Sequence, residues 1–242
     1  MSNPYEQRKL VDEYLLFHYG DPSLVLPYEF GPLEALNFAV RTVSETLDPS
    51  SPRSRALDVG CSVGRSSFEL SRFCNEVTGI DFSQAFIDAA NEIRTNGTMD
   101  YEVLIEAHTT TAATACAPSG TRSDHVHFET GDAMALRDDL GSFDLVHAAN
   151  LICRLPEPIK FLDRLPSLVS SGGQLVLTTP CTWLGEFTPP ENWPDKPTIE
   201  WLQDALGGSF ALDRTLDLPF LIRETARKFQ WTVAQGSVWT RL

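Results

Sequence analysis

Residues 55–73 read RALDVGCSVGRSSFELSRF, a short apolar run that ends on a glycine-rich turn and passes into a helical pattern. Ala56, Leu57 and Val59 have the character of a strand buried on both faces, the kind that belongs in a parallel sheet. Glycine lets the chain turn sharply and approach a ligand closely, with the N–H groups of the following helix pointing into the gap. A pyrophosphate-binding turn has the spacing G-x-G-x-x-G; here Ser62 and Arg65 stand where its second and third glycines fall. The turn is poorly matched to a dinucleotide.

Outward from this turn, strands and helices alternate. EVTGID (76–81) predicts a second strand and SQAFIDAANEIR (83–94) a second helix with Ser83 as N-cap. HVHFETGDA (125–133), SFDLVHAANLI (142–152) and GGQLVLTTP (172–180) predict three more strands, and PEPIKFLDRLPSLV (156–169) a helix. The tail FQWTVAQGSVWTRL (229–242) is strand-like and prone to form a hairpin. The pattern predicts an α/β fold: a Rossmann-like doubly wound sheet, mostly parallel, with an antiparallel C-terminal hairpin. Residues 1–52 are expected to form an N-terminal helical lid, with helices over 5–17 and 34–47, and residues 53–242 the core of one single domain. Residues 98–124 read as an insertion, in which TMDYEVLIEA alternates like an extra strand and the small, polar remainder predicts a mobile loop.

With 42% hydrophobic and 21% charged residues, the chain has an ordinary globular composition. A net charge of -14, without a Lys/Arg cluster, excludes a phosphate-neutralising nucleic-acid surface and favours a small-molecule ligand. No apolar run approaches the roughly 20 residues of a membrane span, and the first residues lack an apolar signal core, so a cytoplasmic protein is expected. Five widely spaced cysteines without a C-x-x-C suggest neither a disulfide framework nor a zinc site, and no metal is expected.

Four landmarks fall in order at strand ends: Asp58-Val59-Gly60-Cys61-Ser62-Val63-Gly64, Gly79-Ile80-Asp81, Gly131-Asp132-Ala133 and FDLVHAANLICRL (143–155). An acidic residue at the end of the second strand suits a ribose, in NAD or otherwise. The ordered set resembles the motifs of class I S-adenosylmethionine-dependent methyltransferases, which release S-adenosylhomocysteine. The resemblance implies cofactor contacts from Asp58, Gly60, Cys61, Ser62 and Gly64, ribose contacts from Asp81 beside Phe82, adenine contacts from Asp132 and Ala133, and Asn150 beside the methyl group. Arg65 is expected to face outward from the helix start, and His147 to be a packed strand residue.

The lid segment YLLFHYGDPSLVLPYEFGPLEALNFAVR (14–41), taken with LDVGCSVGRSSFELSR, the 98–124 interruption and HAANLICRLPEP, resembles the 4-mercaptohistidine N1-methyltransferases of ovothiol biosynthesis over nearly the whole chain. That resemblance implies methylation of the imidazole ring of 5-thiohistidine to ovothiol A by a stand-alone version, paired functionally with a separate sulfoxide synthase. Another small imidazole or thiol acceptor, or a non-catalytic cofactor-binding module, are the alternatives. Methyl transfer is an in-line displacement in which positioning and desolvation do most of the work, so no strong base is obligatory. Residue type and place nominate Asn150 and Tyr28 as catalytic, and Tyr19, Tyr28, Glu29, Arg154, Trp183 and Arg223 as substrate contacts. Arg154 and Arg223 offer the fork that suits a carboxylate.

Overall fold

A computed structural model describes residues 4–48 and 53–242. Residues 1–3 of the expected lid and the junction 49–52 lie outside the described residues.

The sheet begins with β1 (Arg53–Val59), which pairs in parallel with β2 (Cys74–Asp81) on one side and β6 (Phe143–Ala149) on the other. Outside these lie β5 (Val126–Thr130) and β7 (Val169–Thr179), again parallel. Two antiparallel strands, β9 (Phe229–Arg241) against β7 and β8 (Phe210–Arg223) against β9, complete the order β5-β2-β1-β6-β7-β9-β8. The fold is therefore a Rossmann-like α/β sheet with an antiparallel C-terminal hairpin. The tail is one long strand of that hairpin, with the preceding segment as its partner.

Alternate residues of the central strands enter two cores, as the pleat requires. Ala56, Val77, Leu145 and Val176 face a core shared with α1 (Arg8–Tyr19), α3 (Phe38–Ser44), α4 (Arg65–Leu70) and α5 (Gln84–Asn96). Leu57, Ile80, Val146, Leu175 and Leu177 face the other, shared with α6 (Pro158–Leu168) and α7 (Thr198–Leu206). A short helix, α2 (Pro22–Val25), is capped by the Asp21 carboxylate on the Ser23 N–H. The expected Ser83 cap of α5 is present, its Oγ accepting from the Phe86 N–H at 3.2 Å.

Two expectations are corrected. The helix predicted over 34–47 is a single turn at Leu33–Ala35 followed by α3, because Asn37 sits at φ 55° and breaks the path; Asn is among the few side chains that tolerate this left-handed region. The loop predicted after residue 107 contains β4 (Thr109–Cys116), which pairs antiparallel with β3 (Thr98–Glu106) in a separate two-stranded sheet. That hairpin is tied to the lid, where Arg8 Nη2 donates to the Asp100 carbonyl at 2.9 Å, and to the β8–β9 turn, where the Ala226 N–H donates to the Ile105 carbonyl at 2.9 Å. Among the described residues no helix is long and apolar enough to cross a membrane.

Candidate functional site at the carboxyl edge of the sheet

The turn after β1 alternates left-handed residues: Gly60 at φ 73°, Ser62 at 51° and Gly64 at 87°. Such alternation curls the backbone into a tight cradle, in which the Ser62 N–H is taken by Asp81 and the Gly64 N–H by the Cys61 carbonyl. The N–H groups of Gly60 and Cys61 both donate to the Ile80 carbonyl, at 2.8 and 3.1 Å, which lashes the turn to β2. Cys61 is buried, and burial raises its thiol pKa, so it stays a neutral packing group. The Ser62 hydroxyl is buried without a partner.

Asp58 lies beneath the turn with both carboxylate oxygens engaged, one accepting from Ser67 Oγ at 2.6 Å and the other bonded to His147 Nδ1 at 2.8 Å. Parallel pairing sets Asp58 beside His147 in the next strand. His147 is fully buried, a packed strand residue as expected. Asp58 is the strand-end acid of the motif, and its carboxylate serves here as a pillar under the loop.

Asp81 ends β2. Its Oδ2 accepts from the Ser62 N–H at 2.8 Å and its Oδ1 from the Ser83 N–H at 2.9 Å, so one carboxylate clamps the glycine turn to the start of α5. The Phe82 N–H adds a third backbone bond to this carboxylate, which has about four acceptor sites in all. Burial pushes the carboxyl up to about 6 from 3.8, opposed by those backbone N–H bonds. Next to it Phe82 is 67% exposed, a large flat ring at the mouth of the site. After β5, the Gly131 N–H donates to the Asp81 carbonyl at 2.9 Å, and Asp132 Oδ1 caps the next turn by accepting from the Met134 N–H at 2.8 Å. The second Asp132 oxygen has no partner among the described residues, and Ala133 is buried beside it. Asn150, after β6, is held at φ 54° by its own N–H donating to the Thr178 carbonyl at 2.8 Å, while its Oδ1 accepts from Thr178 Oγ1 at 3.0 Å. Its amide NH2 has no partner among the described residues. Ser62, Asn150 and Cys181 (φ 53°) are left-handed non-glycine residues at the ends of β1, β6 and β7; such strain tends to gather at functional sites.

The start of the chain is strapped across this edge. Glu6 accepts from the N–H groups of Gln84 and Ala85 at 3.0 and 3.2 Å, and Ser83 Oγ donates to the Tyr5 carbonyl at 3.1 Å. Tyr5 stacks on Phe187 (6.4 Å, 29°) and meets Tyr14 edge-on at 6.1 Å; Tyr14 packs on Phe86 at 4.8 Å. The Arg154 guanidinium lies over the other participant of that stack, 4.9 Å from the Phe187 ring centre, and its Nη1 donates to the Cys153 and Thr182 carbonyls at 3.1 and 3.0 Å. Burial raises both tyrosine pKa values, with Arg154 opposing and Asp81 adding to the rise. Arg154 and Asp81 thus both act electrostatically on Tyr5 and Tyr14. Tyr5, Tyr14 and Phe187 were not among the candidates; the aromatic richness of the lid was the available signal for Tyr14, whereas Phe187 comes from a loop after β7 that carries no motif.

Other candidates converge elsewhere. Tyr19 donates its phenol to the Val63 carbonyl at 2.8 Å, fastening α1 to the glycine turn. Tyr28 donates to the Ala226 carbonyl at 3.2 Å, Arg223 to the Thr225 and Leu24 carbonyls, and Glu29 is exposed. Tyr28 and Arg223 therefore anchor residues 24–28 to the β8–β9 turn, and none of their bonds reaches the glycine turn or Arg154. Trp183 donates to Thr198 Oγ1 at 3.2 Å and packs edge-on with Trp201, joining the loop after β7 to α7. Arg65 corrects the expectation of an outward side chain. Only 19% of it is exposed; it pairs with Glu69 at 2.9 Å and lies 5.6 Å from the Tyr19 ring centre.

Residues 34–223 match the family described as methyltransferase domain. The chain belongs to that family. This methyltransferase is 26% identical over 236 residues to the 2-methyl-6-phytyl-1,4-hydroquinone methyltransferase of Synechocystis sp., with 94% of this chain and 64% of that one covered. It is 29% identical over 149 residues to the ubiquinone biosynthesis O-methyltransferase of Xanthomonas axonopodis pv. citri, covering 61% and 52%. The chain thus spans between about half and just under two thirds of the length of these relatives. The methyltransferase shares its fold with the N-methyltransferase NodS of Bradyrhizobium japonicum in complex with S-adenosyl-L-homocysteine, with a TM-score of 0.54 at 14% identity and 96% and 98% of the two chains covered.

The Asp81 titration has a checkable consequence. Below about pH 6 its carboxyl holds a proton, and the charged acceptor is lost. Binding of S-adenosylhomocysteine is expected to weaken about tenfold between pH 7 and pH 5, the ratio set by the carboxylate fraction of a group titrating near 6. Calorimetry across that range checks it, and Asp81→Asn is expected to flatten the profile. Stability of the ligand-free protein runs the other way. The folded value lies above the unfolded one, so this group's contribution is complete below about pH 4 and is lost as pH rises through about 6.

Proposed function

We propose that this methyltransferase transfers the methyl group of S-adenosylmethionine to an imidazole ring nitrogen of 5-thiohistidine, giving ovothiol A. The observation that carries the reading is the cluster of Tyr5, Tyr14 and Phe187 with the Arg154 guanidinium over the Phe187 ring. Flat aromatic rings with a guanidinium, and the Asp81 carboxylate acting on the same tyrosines, suit a small zwitterionic aromatic amino acid better than a long apolar chain. The likeness of residues 14–41 to the thiohistidine methyltransferases points to the same acceptor.

The residues fit the cofactor on two grounds, the left-handed cradle of residues 60–64 and the partnerless Ser62 hydroxyl within it. In this reading Gly60, Cys61, Ser62 and Gly64 hold its amino-acid end, with Asp58 bracing them from below. Asp81 takes the ribose, Phe82 covers it, and Asp132 with Ala133 meets the adenine. Bound there, the cofactor supplies an electrophilic methyl on a sulfonium sulfur. The protein's own tasks are orientation and exclusion of water. Asn150, locked by Thr178, offers its amide NH2 to the acceptor ring, and Arg154 takes the acceptor's carboxylate through the guanidinium nitrogens left over from its carbonyl bonds. Tyr5 and Tyr14, kept protonated by burial, close the site over the ring. A separate sulfoxide synthase would deliver the thiohistidine.

The relatives named for hydroquinone and ubiquinone chemistry favour a second reading, a phenolic ring methylated on oxygen. One panel separates the readings. Protein and S-adenosylmethionine are incubated with 5-thiohistidine, histidine or a simple hydroquinone, and the acceptors are weighed by mass spectrometry. A gain of one methyl on 5-thiohistidine, located on ring nitrogen by NMR, is expected. Methylation of the hydroquinone alone replaces this reading with the second, and cofactor binding without turnover on any acceptor replaces it with a binding module.

A further inference from the structure

The lid histidine has no part in the reading above. His18 lies one turn beyond Tyr14 on α1, in an aromatic strip with Tyr14 (5.9 Å), Phe17 (5.1 Å) and Tyr19 (6.5 Å). Its Nδ1 is buried and has no hydrogen-bond partner. Across from it stands Arg65, the first residue after the glycine turn. Arg65 is held by Glu69 through Nη2 and by the Tyr19 ring, and its Nε is likewise buried and without a partner. His18 is an electrostatic neighbour of both Arg65 and Asp58. Burial, reinforced by Arg65, drives His18 down to about 3, so its imidazole is neutral at physiological pH.

Two orphaned polar atoms at one place need an explanation. Each buried group left without a partner costs about 1–3 kcal/mol. A structural explanation would be a protein acceptor, and none is bonded to either. Glu69 meets Arg65 at Nη2 and not at Nε, and both oxygens of Asp58 are already engaged by Ser67 and His147. An Arg Nε–H and a neutral imidazole N–H are both donors, and paired donors beside a guanidinium fit a carboxylate oxygen. Methyl transfer to an amino acid also needs two carboxylate partners, because the cofactor and the acceptor each carry one. Arg154 supplies one beside Phe187; Arg65 is the arginine on the glycine-turn side.

We propose that His18 and Arg65 form a lid-closed subsite for the α-carboxylate of an amino-acid group. The methionyl end of the cofactor and the amino acid of the acceptor share this chemistry, and only the acceptor arm of the test rests on the proposed 5-thiohistidine reading. The test is titration calorimetry on His18→Phe, which keeps a ring in the strip and removes its nitrogens, and on Arg65→Gln. S-adenosylhomocysteine is compared with 5′-methylthioadenosine, which lacks the amino-acid group, and 5-thiohistidine is titrated into protein saturated with S-adenosylhomocysteine.

If the subsite holds the cofactor, both variants bind S-adenosylhomocysteine at least tenfold more weakly and 5′-methylthioadenosine within twofold of the parent. If it holds the acceptor, S-adenosylhomocysteine is unaffected and 5-thiohistidine weakens tenfold. Equal losses for the two nucleosides, or no change with any ligand, overturn the proposal. Absence of 5-thiohistidine binding to the parent protein counts against the acceptor reading alone, since the nucleoside comparison still decides the subsite.

Discussion

Asp81→Ala is expected to weaken S-adenosylhomocysteine binding by at least about a hundredfold. The carboxylate holds two things at once. Its oxygens accept the Ser62 and Ser83 N–H groups, fixing the glycine turn against α5, and their remaining acceptor capacity is proposed for the ribose. Charge-assisted hydrogen bonds contribute on the order of 1.5–3 kcal/mol each, so losing the ribose bond alone gives up to about 3 kcal/mol, near two decades in Kd. Release of the turn adds to this, because Ser62 occupies a left-handed conformation that its Asp81 bond helps maintain. Asp81→Asn keeps one carbonyl oxygen and loses the charge, so it should fall between alanine and the parent. Calorimetry at pH 7.5, above the Asp81 titration, gives the comparison. Affinity within threefold of the parent for the alanine variant would place the ribose elsewhere.

The parts of the site that the sequence reveals are those whose signal is local. The turn at residues 57–64, Asp81 after a strand, and Ser83 ahead of a helix each carry their meaning within a few residues, and each stands where its pattern put it. What stays hidden depends on distant partners. Thr109–Cys116 has six of its eight residues exposed and no apolar alternation, so only its register against β3 makes it a strand. Arg65 looks outward in a helix-start pattern, but α1 crosses in front of it and supplies the Tyr19 ring. Tyr28 and Arg223 are nearly 200 residues apart in the chain, and their engagement with the β8–β9 turn follows from that hairpin's two strands, of which β8 carries Asp213, Arg214, Asp217 and Pro219 within a mixed pattern. Tyr5 finds its partners at Phe187 by the same long-range closure. The turns at the strand ends were therefore readable, and the contacts of the lid were not, since those join segments that meet only when the lid lies across the sheet.

Gly64→Ala is expected to lower stability by about 3 kcal/mol, the sum of about 1–2 for a left-handed alanine and 1–3 for overpacking. The residue sits at φ 87°, and an added Cβ would lie 2.6 Å from Phe128 Cζ and 3.0 Å from Ala90 Cβ. Phe128 cannot withdraw easily, because it packs edge-on against Phe68 inside the core that also contains Ala90. Two other glycines divide the effect into its parts. Gly97, at φ 80° after α5, has nothing within 4 Å of an added Cβ, so Gly97→Ala carries the backbone penalty alone. Gly79 has no left-handed φ, yet its Cβ would lie 2.6 Å from Phe128 and 2.9 Å from Ser67 Oγ, the group that holds Asp58, so Gly79→Ala carries the packing penalty. At about 2–4 °C per kcal/mol for a chain of this size, Gly64→Ala should lose about 6–12 °C in Tm and Gly97→Ala about 2–8 °C. Gly64→Ala should also lose cofactor affinity, because the residue that closes the cradle has moved, whereas Gly97→Ala should keep it. A Tm for Gly64→Ala equal to that of Gly97→Ala would mean that Phe128 yields at no cost and that the loop is shaped by its backbone conformation alone.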